Sequence, residues 1–240
     1  MISYLANPER FMRISRPVAI GCGALAAGLI GWAMYAAFFV APPEADQGQV
    51  ARIIFVHVPS AWLAMMGYAA LGAASFTYLV WRHSLADAAA RAIAPIAGAF
   101  AFLMLATGSI WGRPTWGVWW VWDGRLASAL VQLLLILGYM ALRGALDDER
   151  QSARAGAILA LVGLVNLPII HFSVEWWATL HQGSIFQEEG TTLAPGFLWP
   201  LMASAAGFTA LFAALALVRT RAAVFRRRAE ALQRAQERAA

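Results

Sequence analysis

The chain has 240 residues, 61% of them hydrophobic and only 13% charged, with a mean hydropathy of +0.62. Soluble domains carry about 45–50% apolar and about 25% charged residues, and so few polar groups cannot cover a water-facing surface. A soluble globular domain is therefore excluded, and the expected solvent is lipid. The formal net charge is +5 and all 18 basic residues are Arg. Such a balance is also seen in nucleic-acid binders, but here the Arg residues lie between or beyond apolar runs, where membrane topology accounts for them. No nucleic-acid partner is expected.

Taken in chain order, six runs reach the roughly 20 apolar residues that a helix needs to cross about 30 Å of hydrocarbon. They are Val18–Ala41, Ser60–Trp81, Ile93–Trp111, Leu126–Leu142, Ala155–Phe172 and Phe197–Val218. The first is too long for the core of a signal peptide and lacks a small-residue cleavage site, so it reads as retained. The runs are continuously apolar rather than alternating, which indicates helices and not barrel strands. Gly- and Ala-rich faces in the first three suit close packing in lipid, and Pro95 and Pro168 are expected to start or kink their helices. The single cysteine, Cys22, lies inside the first run, so the chain has no internal disulfide and no CxxC or CxxCH motif. It reads as a small packing residue.

The expected fold class is thus an all-α integral membrane protein with six transmembrane helices. Residues 1–218 form one membrane domain without internal repeats, and 219–240 form a basic tail. That tail either rests on anionic headgroups or ends as a solvated helix. Fifteen Arg residues fall on one side of the expected topology: Arg10, Arg13, Arg16, Arg82, Arg91, Arg143, Arg150, Arg154 and the seven from Arg219 to Arg238. Only Arg52, Arg113 and Arg125 fall on the other. The positive-inside rule then puts both termini in the cytoplasm.

Three outer loops follow, Pro42–Pro59, Gly112–Arg125 and Ser173–Gly196, and nine of the eleven Trp residues lie in them or at adjoining helix ends. The densest group is Trp111, Trp116, Trp119, Trp120 and Trp122, just before Asp123. Two readings stand: a re-entrant loop anchored at headgroup level, or a rigid apolar platform for a large flat aromatic ligand. His57 and His181 approach this segment from opposite ends of the chain, and two imidazoles beside an aromatic shelf can supply the axial ligands of a haem iron. Either can equally be a satisfied structural histidine.

His171 ranks behind them. It lies ten residues before His181, on a different face of any helix between, and reads as a hydrogen-bond donor to Glu175. His83 reads as a polar residue at the opposite interface. Arg52, Arg113 and Arg125 are candidates for pairing with haem propionates; pairing with Asp123 or lipid phosphate is the competing role. Asp123 also reads as the N-cap of the fourth helix.

The string Trp111–Asp123 with Gly124-Arg125-Leu126-Ala127-Ser128 resembles the tryptophan-rich WWD signature of haem-handling proteins, here segment 111–128. Together with the six-span layout it resembles the haem exporter protein C (CcmC) family of cytochrome c maturation. His57-Val-Pro-Ser-Ala and Ser173-Val-Glu-Trp-Trp-Ala-Thr-Leu-His181-Gln match the family pattern as well.

The resemblance implies that His57 and His181 ligate haem iron and that the Trp segment with Asp123 forms the platform. It implies haem b as transient cargo, bound at the periplasmic face of a bacterial inner membrane and delivered to a haem chaperone. The implied partners are that chaperone, a small membrane helper subunit, and the ATPase and membrane subunits of an ABC transporter. No nucleotide-binding motif is present, so the chain is not expected to be an enzyme, and ATP hydrolysis would belong to a partner. Two other classes remain in view. One is an electron-transfer subunit with a permanent bis-His haem b, whose ligands would be expected within the spans. The other is a haem-independent transporter, disfavoured because the spans lack mid-depth Asp, Glu or Arg.

Overall fold

The computed structural model describes residues 7–181, 183, 186–187, 190–191 and 193–239. Helix α1 (Pro8–Tyr35) starts where the Asn7 side chain accepts hydrogen bonds from the Glu9 and Arg10 amides and Pro8 presets the first turn. It runs into a π-helical turn, Ala36–Val40. A 3-10 turn, Gln49–Ile53, then leads into α2 (Ile54–Trp81), and α3 follows as Ser84–Trp116. Next come α4 (Gly124–Ala145), α5 (Glu149–Gly163) and α6 (Asn166–Trp176). A two-residue antiparallel pairing of β1 (Phe186–Gln187) with β2 (Gly190–Thr191) precedes the long α7 (Pro195–Ala239). With α5 and α6 taken as one segment, six helical stretches among the described residues are long and apolar enough to span a membrane.

The fifth span is expected as a single helix over 155–172 but breaks at Leu164 and Val165. The cause is Pro168, which has no N–H and whose ring crowds the carbonyl four residues back, that of Leu164. The chain passes the break with tighter bonds, Leu164 to Leu161 and Leu167 to Leu164. Asn166 fills it by donating to the Ser128 carbonyl at 2.9 Å and to the Gln132 side chain at 3.2 Å.

The last helix continues unbroken past Val218 to Ala239. Arg221 donates to the Met12 carbonyl and to Ser15 Oγ, so residues beyond the span still lie along α1. Arg227 reaches the Ser84 carbonyl, the Asp87 carboxylate and, at 2.8 Å, Glu149. Asp87 in turn holds Arg143 through two bonds of 2.6 and 3.2 Å, and both residues are buried. This cluster ties the start of α3, the end of α4, the start of α5 and the extension of α7 into one charged end.

Packing elsewhere depends on small residues. Helix α2 lies along α3, α1 along α7, and α4 against α3, α5 and α6. Lipid gives no hydrophobic drive between helices, so close backbone approach must supply the dispersion contacts. A Cβ at Gly67 would sit 2.9 Å from that of Ala97, and one at Gly163 would collide with Tyr68 Oη. Tyr68, Leu63, Leu71, Ala97 and Ile136 form the fully buried centre.

Replacing Asp87 with Ala leaves Arg143 buried beside no carboxylate of its own. The expected cost is about 3–5 kcal/mol, read as a lower unfolding midpoint in detergent. Adding Arg143→Met should recover most of it, because the uncompensated charge is then gone.

Candidate functional site

His57 is the fourth residue of α2, not a loop residue before it, because the helix starts at Ile54. Pro59 lacks the N–H that would bond the Phe55 carbonyl. Ser204 of α7 donates to that carbonyl instead, at 2.5 Å, and this pins the first turn of α2 to α7. On the facing helix, the Thr107 hydroxyl donates to the Leu103 carbonyl at 2.6 Å. Its oxygen is left to accept, and His57 Nδ1 lies 3.0 Å away. The network therefore assigns the His57 proton to Nδ1 and leaves a lone pair on Nε2. Gly108 makes room for the ring, since a Cβ there would stand 3.0 Å from His57 Cε1.

His181 follows the end of α6 and obeys the same logic. The Thr179 hydroxyl donates to Asp123 Oδ2. Thr179 Oγ1, at 3.0 Å, and Asp123 Oδ2, at 3.1 Å, both face His181 Nδ1 as acceptors. Nδ1 therefore carries the proton here too, and Nε2 is free of it. Burial pushes the His181 imidazole below its ordinary pKa; Asp123 draws it back up, and Arg125 adds to the depression. Burial would raise Asp123, but the Leu126 amide, the Thr179 hydroxyl and His181 outweigh it and hold the carboxyl below the usual range.

Asp123 acts with both oxygens. Oδ1 accepts from the Leu126 amide at 2.8 Å as the N-cap of α4, while Oδ2 orients His181. It is 8% exposed. The site role expected of it thus becomes one of positioning, because protein donors occupy both oxygens.

His57 and His181 line one cavity of about 140 Å³, with Arg125 and His171 as its other polar walls and Met65 and Met104 among its apolar ones. Arg125 is held at 3.4 Å by both Ser173 Oγ and the His171 carbonyl. Arg52 and Arg113 are not part of this cavity. Arg52 donates to the Phe38 and Ala41 carbonyls and closes the end of the first span. Arg113 donates to the Gly117 carbonyl at the end of its own helix. His171, at the cavity wall, makes no hydrogen bond to Glu175 among the described residues.

The Trp segment divides in two. Helix α3 carries Trp111 and Trp116, passing through Pro114, and ends only at Gly117, whose φ of +80° suits a glycine C-cap. Trp111 and His57 meet in a T-shaped contact at a centroid distance of 5.6 Å, and Trp111 Nε1 donates to Gln47 at 2.7 Å. Trp116 meets His181 at 4.9 Å. The loop proper, 117–123, folds back where Ser109 Oγ donates to the Trp119 carbonyl at 2.6 Å. Trp120 packs edge-on to Trp122 at 5.3 Å, and Trp119 and Trp122 stand exposed.

Sequence reasoning missed Thr107, Gly108 and Thr179. Thr179, two residues before His181, carries a local signal as a side chain able to turn back on its neighbour. Thr107 carries none, because its partner is 50 residues away.

The sequence matches the Heme exporter protein C family over residues 1–235. The chain belongs to that family. A Heme exporter protein C from Bradyrhizobium diazoefficiens is 48% identical over 230 residues, 95% of this chain and 87% of the relative. One from Escherichia coli is 49% identical over 192 residues, 80% of this chain and 77% of its own length. A Marchantia polymorpha protein described as a putative cytochrome c biosynthesis ccmC-like mitochondrial protein is 38% identical over 193 residues, 80% of this chain and 82% of its own. The matched residues thus include His57, His171, His181 and the whole Trp segment.

Asp123→Ala should change one imidazole and not the other. In ¹⁵N spectra of histidine-labelled protein in micelles, His57 and His181 are both expected as the Nδ1-protonated form. The substitution should scramble the His181 signal, leave His57 unchanged, and lower stability by about 1 kcal/mol through the lost helix cap.

Proposed function

We propose that this chain binds haem between His57 and His181 at the end of the bundle that carries the Trp segment, and hands it to a haem chaperone for cytochrome c maturation. The observation that carries this reading is the shared cavity, into whose walls two histidines are built with Nδ1 hydrogen-bonded and Nε2 free. Metal-binding histidines are commonly held this way, with the second nitrogen fixed on an oxygen acceptor. The relatives' names, for haem export and cytochrome c biosynthesis, point to the same cargo.

In this reading Trp111 and Trp116 flank the two imidazoles, Arg125 faces a propionate, and Trp119, Trp120 and Trp122 form the outward shelf. Asp123 sets the angle of His181. Arg52 and Arg113 brace the surrounding turns. The cavity is smaller than the roughly 300–1,000 Å³ of pockets that enclose a ligand, so a porphyrin would project from it with an edge open to a partner. That geometry favours cargo over a permanent electron-transfer haem b. The Arg distribution supports cytoplasmic termini and a periplasmic site in the inner membrane. An ABC transporter's ATPase and membrane subunits, with a small membrane helper, complete the proposed assembly, and the basic end of α7 belongs to its cytoplasmic side.

Purified protein should carry less than one haem per chain, with the spectrum of a six-coordinate bis-imidazole iron. His57→Ala with His181→Ala should abolish it; an unchanged spectrum would refute the ligand assignment. Thr107→Val, which keeps the shape and removes the acceptor for His57, should weaken haem retention by roughly 10–100-fold, measured by transfer to an apo-haem acceptor.

A further inference from the structure

At the opposite end of the bundle lies a second cavity of about 530 Å³, between α3, α4 and the extension of α7. Five arginines line it: Arg91, Arg143, Arg219, Arg226 and Arg227. Two of them are neutralised, Arg143 by Asp87 and Arg227 by Asp87 and Glu149. The other three make no hydrogen bond or ion pair among the described residues. They face a single further carboxylate, Glu230, so the cavity carries an excess of positive charge.

Arg219 and Arg226 are seven residues apart, two turns of one helix, and so share a face. Between them the face carries only Ala222 and Ala223, and those small side chains keep the cavity open. An apolar strip also lines it, Pro95 and Met140 with Ala88 and Ala92, beside Tyr139, Gly144 and Glu149. Arg91 stands seventeen residues from Gly108 on α3, roughly 25 Å along the axis at 1.5 Å per residue. The arginines therefore lie about one hydrocarbon thickness away from the histidine cavity, at headgroup depth for the other leaflet.

We propose that this cavity is a binding site for one anionic phospholipid. The headgroup phosphate sits among Arg91, Arg219 and Arg226, and the acyl chains leave along Pro95 and Met140. A free phosphate would be served by the arginines alone; the adjoining apolar wall at the edge of the spans is what selects a lipid. Basic pockets between transmembrane helices recognise anionic headgroups in this manner. Occupancy would add to the links that Arg227 already makes from the extension of α7 to the Ser84 carbonyl and the Asp87 carboxylate of α3.

The test is native mass spectrometry of the full-length protein, delipidated in detergent and titrated with phosphatidylglycerol, phosphatidylcholine or inorganic phosphate. One phosphatidylglycerol should be retained in preference to phosphatidylcholine. With about fivefold from each basic residue near an anionic headgroup, Arg91→Gln, Arg219→Gln and Arg226→Gln together should weaken retention by roughly a hundredfold. Ala222→Phe, which fills the cavity and keeps every charge, should weaken it too, and guards against a triple variant that fails to fold. Arg234→Gln with Arg238→Gln, further along the same helix and outside the cavity, should change nothing. Equal retention of the two lipids would overturn the proposal. So would binding of inorganic phosphate as tightly as phosphatidylglycerol, or a loss from the outer pair as large as that from the triple variant.

Discussion

The arrangement at the Trp-bearing end depends on where two protons sit. His57 and His181 each keep the proton on Nδ1 because the threonine beside the ring has already given its own hydrogen elsewhere: Thr107 to the Leu103 carbonyl, Thr179 to Asp123. A hydroxyl whose hydrogen is engaged can only accept, so the imidazole must donate. Reverse either bond and the ring's lone pair turns back into protein. The two histidines come from α2 and from the stretch after α6, yet each is set by the same device.

That device couples the site to the fold through different helices. His57 is set by how α2 lies against α3, and its own turn is secured by Ser204 reaching the carbonyl that Pro59 strands. An unpaired carbonyl in lipid costs several kcal/mol, so the proline and the serine belong together even though 145 residues separate them. His181 is set by Asp123, which also starts α4. A helix cap and an imidazole partner in one side chain mean that the register of α4 and the angle of the His181 ring are fixed together.

The six spans were legible in the sequence because crossing lipid demands unbroken apolar length, a property read along the chain. The side on which the arginines gather was legible for the same reason, and the structure brings Arg221, Arg227 and Arg143 to one end. Partners across the fold were not. Arg52 and Arg113 adjoin the His57 and Trp motifs, yet both cap nearby carbonyls, and only Arg125 reaches the cavity. The Trp segment reads as a loop because Gly112 and Pro114 are turn formers. It is helical to Trp116 because a proline in the last turns of a helix loses few bonds and Gly117 can take the left-handed cap. The Asp87–Arg143 pair escaped notice because each residue lies at the end of an apolar run, where a charge looks solvated until the facing helix is placed.

The size of the histidine cavity argues for transient occupancy by whatever ligand it takes. Enclosing sites hold their ligands by burying most of the ligand surface, whereas this one offers about 140 Å³, and Trp119 and Trp122, which do not line it, stand 59% and 76% exposed. For the proposed porphyrin, the binding energy would then come mainly from two axial bonds and from contact with a few indole edges, with little dispersion from an enclosing wall. Under the proposed function, a ligand held by coordination could be passed on one bond at a time, an incoming imidazole taking the place of His57 or His181 while the other still held the iron. A ligand held by burial would have to be released before it could be received. The narrow cavity, the paired lone pairs and the exposed shelf are therefore consistent with one another as parts of a site built for exchange.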